Sequence, residues 1–178
     1  MDYYTFHFCG LTRKLFIVPL GPKLRIASLN LLGDRELVEV SARALAQKIK
    51  DIDFDILVGP EVKVVSLLHV LSQILGKSRY VVCRKKIYGY MKNPITIGRH
   101  PTLVLDGPDA QFIRDKKVAV IDDVISTGRT LKVVKELVEQ SGGRVVVNAV
   151  IAKQGPEPLE NIKPLIFLTK LPLFRISN

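Results

Sequence analysis

The run Val118-Ala119-Val120-Ile121-Asp122-Asp123-Val124-Ile125-Ser126-Thr127-Gly128-Arg129-Thr130 leaves this chain few folds to choose from. Four apolar residues open it, three of them β-branched, which is the pattern of a strand buried on both faces. Two adjacent carboxylates are expected to stop that strand. A small hydroxylated turn follows, and Leu131, Val134, Leu137 and Val138 then recur at helical spacing. The order strand, acidic pair, turn, helix predicts an α/β protein with a parallel sheet. The turn then falls at the carboxyl end of a strand, where ligands of open α/β sheets bind.

The turn has the parts a phosphate needs. Backbone N–H groups at a helix N-terminus lack intrahelical partners, and the helix dipole favours an anion there. Gly128 permits close approach, while Ser126, Thr127 and Thr130 add hydroxyl donors. Asp122 and Asp123 would repel a phosphate set beside them and suit neutral hydroxyls or a magnesium shell. A ligand with a phosphate at one end and a sugar diol next to it satisfies both halves.

At 178 residues the chain is expected to form one domain, 1–178, with a sizeable core. Its longest apolar runs, such as Leu165-Ile166-Phe167-Leu168, are strand-length, so no membrane span is expected. Met1-Asp2-Tyr3-Tyr4 lacks the basic start of a secretory leader. Cys9 and Cys83 have no metal-ligand spacing, and read as buried, inert thiols of a reducing cytoplasm. The formal charge of +10 raises nucleic-acid binding as a reading. The cations are dispersed, however, and no helix-turn-helix or aromatic RNA-binding motif accompanies them. A basic cleft that steers in a small polyanion needs only local charge, so no nucleic-acid partner is expected.

Along the chain, residues 3–29 read as short strands, with Tyr4, Phe6 and Phe8 alternating with polar residues. A helix is expected from Asp34 to Lys50, then a core strand Ile56-Leu57-Val58 and a helix Val64 to Leu75 carrying His69, read as structural. Tyr80-Val81-Val82-Cys83 is the next strand and runs into Arg84-Lys85-Lys86. The segment Ile87 to Pro101, which contains His100, shows little periodicity. Thr102 to Leu105 reads as a strand and Asp106-Gly107-Pro108-Asp109 as a turn. Beyond the central motif a helix to Gln140, a strand Arg144 to Ala152 and two tail strands, 165–168 and 171–174, complete the pattern, the tail pair expected to return toward the N-terminal strands.

The stretch Val120 to Thr130 resembles the phosphoribosyl-pyrophosphate (PRPP) signature of type I phosphoribosyltransferases: an apolar run, two acids, two apolar residues, then small-Thr-Gly-x-Thr. Pro60-Glu61-Val62-Lys63 is similar to the Pro-Glu-small-Arg-Gly loop of adenine phosphoribosyltransferases. It departs from that loop in the bulk of Val62, in Val64 for Gly, and in Lys63, which keeps the charge but not the arginine fork. The resemblance implies a central parallel sheet flanked by helices (core about 34–154) with a small hood from both termini (about 1–33 and 155–178). It implies that Ser126, Thr127, Gly128, Arg129 and Thr130 hold the 5-phosphate, and that Asp122 and Asp123 are catalytic. Glu61, Val62, Lys63, Arg84 and Lys85 would face pyrophosphate; Leu29-Asn30-Leu31-Leu32 would approach the base, with Leu31, Val124 and Ile125 as its contacts.

Magnesium is implied as an ion carried by PRPP near Asp122 and Asp123 rather than as a directly ligated metal. By the same resemblance the segment 87–101 would be a lid that shuts water out. The implied activity is purine salvage in the cytoplasm by a homodimer, with adenine favoured because Ser126 stands where hypoxanthine-guanine enzymes carry an aspartate. Hypoxanthine, guanine or xanthine, and a non-catalytic PRPP-binding regulator on the same fold, remain open alternatives.

Overall fold

A computed structural model describes residues 2–98, 100–155, 162 and 164–175. The chain begins with an antiparallel pair, β1 (Tyr3–Phe8) and β2 (Leu11–Pro19). Cys9 and Gly10 join them with φ of 48° and 80°, the two positive values that a two-residue hairpin turn of matching twist requires. Cys9 is therefore exposed at a hairpin tip, not buried as expected, whereas Cys83 is fully enclosed. Burial disfavours the thiolate and pushes the Cys83 thiol up to about 12, which leaves it inert. β3 (Leu24–Ala27) pairs with β2 and completes the N-terminal share of a small sheet ordered β1-β2-β3-β11, where β11 is Leu173–Arg175.

The main body alternates strands and helices. It comprises α1 (Arg35–Ile49), β4 (Ile56–Pro60), α2 (Val65–Ile74), β5 (Tyr80–Cys83), α3 (Gly107–Ile113) and β8 (Lys117–Ile125). α4 (Arg129–Gln140), β9 (Arg144–Gln154) and β10 (Leu165–Leu171) follow. The five strands form one parallel sheet in the order β10-β9-β8-β4-β5. Period-two alternation divides its side chains between two cores. Leu57, Ala119 and Ile121 pack under α1 and α2 with Leu45, Leu67 and Leu71. Ile56, Val58, Val118 and Val120 pack on the other face with Ile113, Val134, Leu137 and Val138.

The connection from β4 leads outward to β5, while that from β8 leads the other way to β9. The chain thus reverses its winding between β4 and β8, and such a switch point opens a crevice at the carboxyl ends of those two strands. Gly59 lets them come together. A Cβ there would lie 2.6 Å from the Ile121 carbonyl oxygen and within 3.2 Å of Leu68 and Val64 side-chain carbons.

Two ties fix the small sheet to the body. Arg13 of β2 donates from Nε and Nη2 to both carboxylate oxygens of Asp34, at 2.6 and 3.0 Å. Asp34 also caps α1 by accepting from the Leu37 N–H at 3.0 Å. On the opposite side buried Gln154, at the end of β9, donates from Nε2 to the carbonyls of Ala27 and Pro172, each at 3.2 Å.

Several expectations are corrected. β8 does not stop at the acids but continues through them to Ile125, because Asp122, Val124 and Ile125 stay in register with β9. The supposed turn at 106–109 is the start of α3. Pro108 occupies its first turn, where a missing N–H costs nothing. The strand expected from Thr102 is only β7 (Val104–Leu105), paired antiparallel with β6 (Ile95–Thr96) inside the segment read as irregular. The first tail strand, β10, runs parallel to β9 in the central sheet, so only β11 returns to the small sheet. Among the described residues no helix is long and apolar enough to cross a membrane.

Candidate active site

The crevice between β4 and β8 is a cleft of about 560 Å³, bordered by Glu61, Lys63, Lys85, Asp122, Asp123 and Thr130. A smaller cavity of about 40 Å³ opens among Ser126, Thr127, Gly128, Arg129 and Thr130, and Asp122, Val124 and Thr130 border both spaces. Gly128 is the N-cap of α4 and takes a left-handed φ of 74°, which turns the chain from strand to helix and leaves the first-turn N–H groups at this cavity. The loop predicted from the sequence thus meets the acidic pair at one end of the cleft.

Within the pair, Asp122 Oδ1 accepts from the Asp123 N–H at 2.8 Å, and Asp123 Oδ1 accepts from the Val124 N–H at 2.7 Å. These bonds hold the two carboxylates in fixed orientations. Burial, then the like charge of Asp123, pushes the Asp122 carboxyl well above its ordinary 3.8. Among the described residues Asp123 Oδ2 is buried without a hydrogen-bond partner, and the Lys63 ammonium stands 3.4 Å from it. Lys63 Nζ also donates to the Leu29 carbonyl at 2.9 Å.

Across the cleft, Glu61 anchors the segment after β5. It accepts from Arg84 Nε at 2.5 Å and from the Lys85 N–H at 2.7 Å. Arg84 also stacks over Tyr88 at 4.8 Å, and its backbone exchanges two 2.7 Å hydrogen bonds with Val104. The Glu61–Val62 peptide is cis. Burial raises the Glu61 carboxyl, but the Lys85 N–H and the Arg84 guanidinium outweigh it and hold the group below its usual 4.5. A depressed carboxylate contributes stability that is complete above pH 4.5 and is lost as pH falls through the lower folded value. Glu61→Gln is therefore expected to cost about 2 kcal/mol at neutral pH. That difference should shrink in acid, as melting midpoints of the two proteins across the acid range will register.

The structure sorts the remaining sequence assignments. Arg84, expected at the pyrophosphate, is committed to Glu61 and Tyr88, and it is Lys85 that borders the cleft. Leu31, expected at the base, is 1% exposed in the core, whereas its neighbour Leu32 is 49% exposed and borders the cleft. Ile125 is 2% exposed and packs with the α4 residues beneath the loop. Val124 lies at the cleft wall. His100, in the expected lid, and Thr102, at the start of the expected strand, also border the cleft. The Leu29 carbonyl was not foreseen, since a backbone acceptor leaves no trace in residue identity.

A family model described as the phosphoribosyl transferase domain matches residues 29–176. The chain belongs to the phosphoribosyltransferase family. The adenine phosphoribosyltransferase of Thermosipho africanus is 34% identical over 149 residues, covering 78% of this chain and 85% of that enzyme. A crystal structure of the adenine phosphoribosyltransferase from Thermoanaerobacter pseudethanolicus shares the fold with a TM-score of 0.67. It is 23% identical and the match covers 79% of this chain and 83% of that one. The transcriptional regulator GfcR of Archaeoglobus fulgidus is also similar, at 29% identity over 131 residues, 73% of this chain and 63% of the regulator. The fold is accordingly the type I phosphoribosyltransferase fold that the Val120–Thr130 run implied.

Proposed function

We propose that the protein is a purine phosphoribosyltransferase of nucleotide salvage, transferring ribose 5-phosphate from PRPP to a purine, adenine by preference, with release of pyrophosphate. The observation that carries this reading is the meeting of two unlike sites at one switch point. A helix N-terminus of the kind that suits an anion shares its small cavity with Asp122, next to which Asp123 is held in a fixed orientation. A sugar phosphate satisfies both at once, and a phosphate alone does not.

In this reading Ser126 to Thr130 hold the 5-phosphate through hydroxyls and first-turn N–H groups. Asp122 and Asp123 accept from the ribose hydroxyls. As the bond from C1 of ribose to the pyrophosphate oxygen lengthens, positive charge grows on the ribosyl ring beside these carboxylates, already fixed by their own backbone bonds. Preorganised charge of this kind lowers the barrier most where solvent is excluded. Lys63 and Lys85 meet the negative charge gathering on the leaving pyrophosphate, while Arg84 works through Glu61 to hold the Lys85 N–H in place. The base nitrogen then closes the new bond to C1 and gives up its proton to the departing pyrophosphate or to solvent, so no covalent nucleophile is required. Leu32 and Val124 supply apolar surface for the base.

Magnesium fits the donor set: hard carboxylate oxygens, one of them buried and without a hydrogen-bond partner among the described residues, suit that ion or its water shell near Asp122 and Asp123. There it would neutralise the polyphosphate. Adenine is favoured by Ser126 and by the 34% identity to an adenine enzyme over most of both chains. A cytoplasmic homodimer is part of the same reading.

Calorimetric titration tests the base preference. AMP is expected to bind at least tenfold more tightly than IMP, GMP or XMP, a difference of about 1.4 kcal/mol. The reverse order would move the assignment to hypoxanthine, guanine or xanthine. The likeness to GfcR supports a second reading, a PRPP-binding regulator, for which PRPP binds and no nucleotide is made.

A further inference from the structure

The lysine at position 63, where the resembling loop carries arginine, has a structural use of its own. Its ammonium lies between two acceptors that belong to different parts of the molecule. One is the Leu29 carbonyl, 2.9 Å away, in the linker that joins β3 of the small sheet to α1. The other is Asp123 Oδ2, 3.4 Å away, buried and otherwise unpartnered. An ammonium has three donors in tetrahedral array; one is used at the Leu29 carbonyl, the approach to Asp123 is a charge contact, and the side chain is 43% exposed at the cleft. A guanidinium presents a planar fork suited to two parallel acceptors on one group, not to a convergent set of three.

We propose that Lys63 is a positioning residue for the base. By tying the Leu29 carbonyl to the acidic pair it holds the 29–33 linker, and with it Leu32, against the cleft, while its remaining donor stays available to an anion. Leu32 is three residues beyond the tether and, with Val62, stands on the rim of the cleft and of the adjoining apolar groove between α1 and α2. Leu29 and Leu31 stay packed in the core, so a linker freed from Lys63 loosens chiefly at the exposed Leu32. Lysine at this position therefore exchanges a bidentate grip on the leaving group for control over the base side of the cleft. The kinetic part of this inference rests on the transferase reading; the tether itself does not.

The experiment compares the wild-type protein with Lys63→Arg and Lys63→Met, each also in a Leu32→Ala background. Lys63→Arg keeps the charge, so KM for PRPP should stay within about twofold while KM for the base rises about tenfold, the loss of one charged hydrogen bond. Lys63→Met should raise both. In the Leu32→Ala background the effect of Lys63→Arg on the base KM should vanish, an outcome that a merely structural role would not produce. Amide hydrogen exchange across residues 30–33 of the free protein should quicken in both single variants. An unchanged base KM in Lys63→Arg, or a rise that persists without the Leu32 side chain, overturns the positioning role. If the wild-type protein makes no nucleotide from any base, the transferase reading fails on its own. The exchange data then decide the tether: unchanged protection in Lys63→Met overturns it and faster exchange supports it.

Discussion

Asp123→Asn is expected to lower kcat by about 10²- to 10³-fold, the usual cost of removing one preorganised electrostatic group from a closed site. Folding should hardly notice. The asparagine keeps an oxygen for the Val124 N–H, which Asp123 Oδ1 now occupies at 2.7 Å. The ion pair with Lys63, 3.4 Å long and facing the cleft, is lost. The repulsion that helps push Asp122 upward is lost with it, and the two effects oppose one another. Steady-state kinetics with a thermal melt on the same preparation check this. A variant that turns over at the wild-type rate would mean that the acidic pair is not at the reacting carbon.

Gly59→Ala is expected to act on the frame rather than the chemistry. The new Cβ would meet a backbone oxygen, that of Ile121, at 2.6 Å, and Leu68 and Val64 block the other directions at 3.1 and 3.2 Å. Neither strand has freedom to yield, because Leu57, Val58, Ala119 and Val120 are packed on both faces of the sheet. Overpacking of this kind costs about 1–3 kcal/mol, or about 5 °C in melting temperature for a chain of this size. Spreading β4 from β8 would also separate Glu61 and Lys63 from the acidic pair, so kcat should fall with stability. Melting and activity both at wild-type levels would contradict the close approach of the two strands.

The central motif was legible because its chemistry and its local structure coincide. β-branched runs mark buried strands, Gly128 marks the left-handed turn into α4, and the acids and hydroxyls lie between them in sequence as in space. What the sequence obscured was governed by tertiary pairing. β8 runs on through two carboxylates because β9 offers it a continuous ladder, against the low strand preference of aspartate. Gly107-Pro108 looked like a turn, although proline is equally at home in a first helical turn. Leu31 and Leu32 are the same residue type side by side, and only packing decides which is buried and which meets the cleft. Arg84 and Lys85 were both read as pyrophosphate contacts. Which of them reaches the cleft depends on Glu61, 23 residues before Arg84 in the chain.

Transferase activity is tested most directly by nucleotide formation from PRPP and magnesium, with adenine, hypoxanthine, guanine, xanthine and orotate supplied separately. AMP and pyrophosphate are expected in equal amounts from adenine, with slower or no turnover of the other four. Saturable binding of PRPP with no product from any base would contradict the transferase reading and leave the regulator in its place.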